Sequence, residues 1–181
     1  LVQSDVPSMH AVVVLPSQRR VRMHFLHPAP PSPTENDEST ERDAELLVVA
    51  KSVAGLDTPV IVAGDLNDVA WSTTTRLFRK ISGLLDPRIG RGMFNTFHAH
   101  YWFMRWPLDH LFHSRHFTLV FIKRLAPFGS DHFAMLVELA YDEARGAQQE
   151  GLVPDADDEA LAEEKIEAEP VSVDDVHEPR A

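Results

Sequence analysis

Two short blocks of this chain bring together side chains that can attack a phosphate ester. Val60-Ile61-Val62-Ala63 is apolar and runs directly into Gly64-Asp65-Leu66-Asn67. Gly129-Ser130-Asp131-His132 follows further on, with Pro107-Leu108-Asp109-His110 between the two. An ionised Asp65 can orient and deprotonate a water, and the Asn67 amide can donate to a phosphoryl oxygen as charge builds there. Gly64 lets the backbone turn without a Cβ penalty. His132 can contact a phosphate, but it needs an orienting partner. Asp109 is the candidate, because a carboxylate on one imidazole nitrogen fixes the tautomer and stabilises the cation. Asp109 also lies in an otherwise apolar segment, where a buried carboxylate demands a partner. Asp131 offers hard oxygen of the kind Mg²⁺ prefers, so it is the metal candidate. His27 closes Phe25-Leu26-His27-Pro28 and is expected at the same end of the sheet. The competing reading of each block is structural: a strand followed by a turn in which Asp or Asn bonds its own backbone. In this order, the blocks point to metal-assisted hydrolysis of a phosphate ester.

The elements that must position these residues are readable from the pattern. Residues 9–15 form an apolar, β-branched run, and residues 20–27 alternate charged and apolar side chains, so both read as strands. The prolines after His27 cannot continue in a sheet interior. A helix is expected from about residue 35 to 53, with Leu46, Leu47, Val49, Ala50 and Val53 as its apolar face and Gly55 past its end. Residues 60–63 are the strand that feeds Asp65. Ser72 is a plausible N-cap for a helix through Ile81, with Gly83 beyond it. Residues 107–113, 117–125 and 133–139 read as three more strands. Strand, strand, helix, strand, helix, then three strands is a mixed α/β pattern. In such sheets ligands gather beyond the carboxyl ends of strands. The aromatic stretch 94–106 is expected to pack in the core or against a loop. His113 and His116 are expected at solvent or at a strand edge.

Composition adds boundaries. The chain has 181 residues and a net charge of −11, with no cysteine, so disulfides and thiolate metal sites are excluded. The charge is unevenly placed. Residues 142–181 hold 14 acids against 3 bases, whereas residues 1–141 are neutral. Within residues 76–124 there are 9 bases and only 2 acids, which would favour an anionic substrate. Two regions are therefore expected: a folded domain over 1–141, and an acidic tail over 142–181 that stays disordered apart from a partly helical stretch near 159–169. No apolar run approaches a membrane span.

On Gly64-Asp65-Leu66-Asn67, Leu108-Asp109-His110 and Ser130-Asp131-His132, in that order, the chain resembles the endonuclease/exonuclease/phosphatase superfamily. His27 before the prolines resembles that family's mid-domain histidine. The resemblance covers residues 9–139 and is strongest to bacterial members. It implies a DNase I-like fold, a four-layer α/β sandwich. Here the domain is expected to lack its N-terminal part, because nothing before Val12 resembles the Asn and Glu that anchor the family's metal. It also implies phosphodiester or phosphomonoester hydrolysis with Mg²⁺ or Mn²⁺. Asp65 would activate the water, Asn67 would stabilise the transferring phosphoryl group, and His132 paired with Asp109 would bind the phosphate. Asp131 would sit near the metal. The implied substrates span nucleic acid, phospholipid and inositol phosphate. Membrane attachment is expected only through an upstream segment, no oligomer is indicated, and the fragment alone is expected to be inactive. The alternative is a non-catalytic binding or scaffold domain that kept the fold.

Overall fold

The computed structural model describes residues 8–30 and 39–178. In chain order the elements are β1 (Met9–Val14), β2 (Arg20–Leu26), α1 (Thr40–Val53), β3 (Val60–Asp65), α2 (Thr73–Ser82), β4 (Asp109–His113), β5 (Phe117–Arg124), β6 (Met135–Tyr141), α3 (Glu143–Gly146) and α4 (Ala156–Glu167). The predicted helix start near Glu35 lies outside the described residues. The six strands and the two main helices fall where the pattern places them.

Strands β1 to β4 form one sheet in sequential order. The β1–β2 pair is antiparallel, β2–β3 parallel and β3–β4 antiparallel. The parallel step follows from α1, which carries the chain back across the sheet between β2 and β3. Helix α2 is set by the residues that bound it. The Ser72 hydroxyl accepts from the Thr75 N–H, and Gly83 takes the left-handed conformation at φ 67°. Strands β5 and β6 form a separate antiparallel ribbon. A cleft of about 360 Å³ lies between β3–β4 and this ribbon, lined by Ala63, Leu111, Ile122, Phe133, Met135 and Val137.

The core sits between the sheet and the helices. Val60, Val62, Leu26 and Phe112 pack with Leu46, Leu47, Val49, Phe78 and Ile81. Helix α1 is buried around nearly its whole circumference, from Asp43 through Ala50. A helix enclosed in this way needs cover on its outer side as well as from the sheet. The cover is α4, which corrects the expectation of a disordered acidic tail for residues 156–167. Ala162 is fully buried and Ile166 nearly so, both within the same core as Leu46 and Leu47. The surrounding acids are matched by cations on α1 and α2: Lys51 pairs with Glu163, and Lys80 with Asp158. Asp155 caps the first turn in a reciprocal arrangement with Asp158. Apolar cover together with paired acids overcomes the repulsion that the composition implies. His113 also departs from expectation: it is buried, and its Nδ1 donates to the Ser114 carbonyl at 3.0 Å.

Candidate active site

Strand register builds the site. The parallel pairing sets Leu26 against Gly64, so the next residues, His27 and Asp65, emerge side by side. The antiparallel pairing sets Asp65 against Asp109. Gly64 is required at this juncture. Its φ is 151°, and a Cβ there would lie 1.9 Å from the Leu26 carbonyl oxygen. His132 arrives from the turn before β6. Its backbone N–H donates to Ser130 Oγ at 3.0 Å. His132 Nδ1 donates to Asp109 Oδ2 at 2.7 Å, and its Nε2 lies 3.6 Å from Asp65 Oδ2. His27 Nε2 lies 3.9 Å from the same Asp65 oxygen. Asp65 Oδ1 accepts from the Asn67 N–H at 2.9 Å, which leaves Oδ2 facing the two imidazoles. Donor atoms of Asp65, Asp109 and His132 all fall within 4.8 Å of one another.

The charges at this rim act on each other. Burial pushes the Asp65 carboxyl up, and the nearby Asp109 charge adds to the rise despite the Asn67 N–H and the two histidines. For His132, burial pulls the imidazole down, but the Asp109 hydrogen bond and the charges of Asp109, Asp65 and Asp131 outweigh it. The net shift is upward. The rim therefore pairs a carboxylate of strengthened basicity with an imidazole biased towards its cation.

A description of the Endonuclease/Exonuclease/phosphatase family matches residues 1–132. The chain belongs to that family. Among solved structures it is similar to an endonuclease/exonuclease/phosphatase from Beutenbergia cavernae, at 20% identity and a TM-score of 0.58, covering 75% of this chain and 39% of that one. It is similar to a mannosyl-6-phosphatase from Bacteroides thetaiotaomicron, at 21% identity and a TM-score of 0.55, covering 69% and 53%. It is also similar to D. rerio TDP2 complexed with single strand DNA product, at 19% identity and a TM-score of 0.57, covering 74% and 61%. These likenesses establish the fold as the mixed α/β arrangement of the DNase I-like structures. The chain spans less than two thirds of the length of each. A comparison with curated proteins finds no match.

Within this Endonuclease/Exonuclease/phosphatase framework, Asp65, Asp109, His132 and His27 converge. Asn67 stands on the same turn, at φ 49°. Its Nδ2 donates to the Pro28 carbonyl at 3.0 Å, leaving one amide hydrogen for a ligand. Asp131 does not join the cluster. Its carboxylate is exposed and accepts from Ser130 Oγ at 3.4 Å. Three further residues position the site without any signal in the sequence. Arg42 Nη1 donates to the Asn67 carbonyl at 2.7 Å. Thr96, fully buried, accepts the Asp109 N–H at its hydroxyl and the Phe133 N–H at its carbonyl, tying β4 to the residue after His132. Arg88 Nη1 donates to the Asp109 carbonyl at 3.3 Å. All three act through backbone groups, and such a role has no signature in side-chain type or spacing.

Proposed function

We propose that this chain carries the proton-handling and phosphate-binding side of a divalent-metal-dependent phosphoesterase. The observation that carries the reading is the convergence of Asp65, Asp109 and His132 at one rim, with the 2.7 Å bond orienting the imidazole. Asp65 Oδ2, free of the backbone bond that occupies Oδ1, takes the proton of the attacking water. His132, held at Nδ1 by Asp109 and favoured as its cation, presents Nε2–H to a phosphoryl oxygen. The second Asn67 amide hydrogen donates to the same group as its charge grows. His27 adds a donor beside Asp65.

A cation fits this rim. The Asp109 charge adds to the rise in proton affinity at Asp65, and a bound ion relieves that repulsion. Asp65 and Asp109 would hold Mg²⁺ or Mn²⁺, in preference to the exposed Asp131. A protonated His132 is no ligand and is left for the phosphate. When bound, the ion neutralises phosphate charge and acidifies a coordinated water. The described residues gather only these two carboxylates in the cluster, so the 181-residue chain alone is expected to turn over slowly or not at all. A mannosyl-6-phosphatase and a structure complexed with single strand DNA product, both among the similar structures, support phosphate esters as the substrate class.

The test is hydrolysis of bis(p-nitrophenyl) phosphate by the full natural protein, with Mg²⁺ and with chelator. Chelation and Asp65→Ala should each lower the rate by about 10²-fold or more. Equal rates in wild type and Asp65→Ala would overturn the assignment.

A further inference from the structure

The tip of the aromatic stretch 94–106, which the sequence pattern assigns to packing, lies on the surface. Tyr101 is 49% exposed, Trp102 81%, Phe103 65% and Met104 43%. They form the tip of a loop with no charged residue between His100 and Met104. The ring neighbours of this tip are its own members and one histidine: Tyr101 meets His98 and Phe103, and Trp102 meets Phe103. The tip is therefore not a satellite of the core. A second loop adds Phe128, which is 67% exposed. The two loops are joined where the Ala99 N–H donates to the Asp131 carbonyl. Both loops are rooted at the active-site rim, since Phe97 bridges to His132 and its ring lies tilted against the imidazole, with centroids 4.9 Å apart.

Cations stand behind the apolar tip. Arg105 follows Met104 directly, and its guanidinium lies 5.0 Å from the Phe133 ring centroid; that of Arg124 lies 4.4 Å from the same ring. Arg105 Nε is buried without a hydrogen-bond partner, and Arg124 Nη1 donates to the Asn95 carbonyl at 2.7 Å. A protruding apolar end with amphipathic Tyr and Trp and a guanidinium layer behind it matches the gradient of a bilayer interface: acyl boundary first, phosphate headgroups next. A single-stranded nucleic acid is matched less well. Base stacking needs a basic groove that follows the backbone, and here the exposed rings are gathered against one another at one loop tip. No helix among the described residues is long and apolar enough to cross a membrane.

We propose that the loop tips at Tyr101–Met104 and Phe128 dock the protein on a phospholipid surface, with Arg105 and Arg124 at the level of the headgroup phosphates. Docking places the rim of Asp65, Asp109 and His132 against that surface. It requires no turnover, so it stands or falls apart from the hydrolase reading.

The experiment is co-sedimentation of the chain with vesicles of mixed phosphatidylcholine and phosphatidylserine. Wild type should pellet with the vesicles. The double variant Trp102→Ala/Phe103→Ala should lose about tenfold or more in partition, since two large rings are withdrawn from apolar burial. Val153→Ala removes an equally exposed apolar side chain elsewhere and should pellet like wild type. Brominated lipid should quench wild-type tryptophan fluorescence, and Trp102→Phe should remove most of that quenching while still pelleting. The proposal is overturned if wild type stays in the supernatant, or if the double variant pellets as well as wild type. It is also overturned if Trp102→Phe is quenched as strongly as wild type, or if the double variant loses binding to a single-stranded oligonucleotide but not to vesicles.

Discussion

Asp109 and His110 are adjacent on β4 and do opposite work. Successive strand residues point to opposite faces, so one faces the rim and the other the helix-covered core. Asp109 is half-buried and bonds an imidazole that stays within reach of solvent. His110 is buried and locked. Its Nε2 donates to the Asp68 carbonyl at 2.8 Å, and its Nδ1 accepts from Arg88 Nη2 at 2.8 Å. Burial, and then the Arg88 charge, pull its pKa down to about 3. Arg88 is fixed in turn by Asp86 through Nε and Nη2. The two imidazoles, His110 and His132, are thus driven apart in charge by their surroundings. One is neutral and structural; the other is biased towards the cation and available for chemistry. What separates them is whether the ring faces an arginine in the interior or a carboxylate at the rim.

The largest expected effect lies on the rim side. Asp65→Asn in the full natural protein should lower kcat by about 10²–10⁴-fold with little change in KM, because the variant keeps the shape and loses the base. Steady-state kinetics with thermal melting as a control reads this directly. On the core side the comparison predicts a loss of stability. Arg88→Met leaves Asp86 buried without its partner, which should cost about 3–5 kcal/mol in denaturant unfolding.

The pH dependence sharpens the contrast. His110 has a folded pKa near 3 against an ordinary value of 6.5, so the unfolded chain takes up a proton first. Stability should therefore fall as pH drops below about 6.5, with a slope of up to about 1.4 kcal/mol per pH unit from this group. His132 has the opposite sign. Its raised folded pKa contributes stability that is fully present below 6.5 and is lost as pH rises through the folded value. A smaller effect belongs to the tail. Lys165 Nζ bonds Asp43 Oδ2 at 2.7 Å, and Asp43 also holds Arg42, which holds the Asn67 carbonyl. Lys165→Met should cost about 1–3 kcal/mol in unfolding measurements, since Thr74 and Arg42 remain on Asp43.

The rim residues were legible because their signals are local. An apolar strand ending in Gly-Asp-Leu-Asn states both the strand and the turn, and register then brings His27, Asp65 and Asp109 together. The tail was not legible, because its 14 acids obscure the three positions that enter the core, Ala162, Ile166 and Val176. The missed clue lay in α1: Leu46-Leu47-Val48-Val49-Ala50 is too continuous for a helix covered on one side only. The aromatic loop misled in the other direction, since apolar residues 101–104 read as packing in the absence of any measure of what lies over them. Arg42, Thr96 and Arg88 carry no signal in the sequence because their partners are carbonyls and N–H groups, to which any polar side chain of suitable reach can bond.

The most direct test of the account is a histidine-resolved NMR titration of wild type and Asp109→Asn. His132 in wild type should titrate above 6.5 and shift downward in the variant, while His110 stays neutral in both to about pH 4. A His132 that titrates at or below 6.5 in wild type, or that is unmoved by Asp109→Asn, would contradict the pairing on which the site depends.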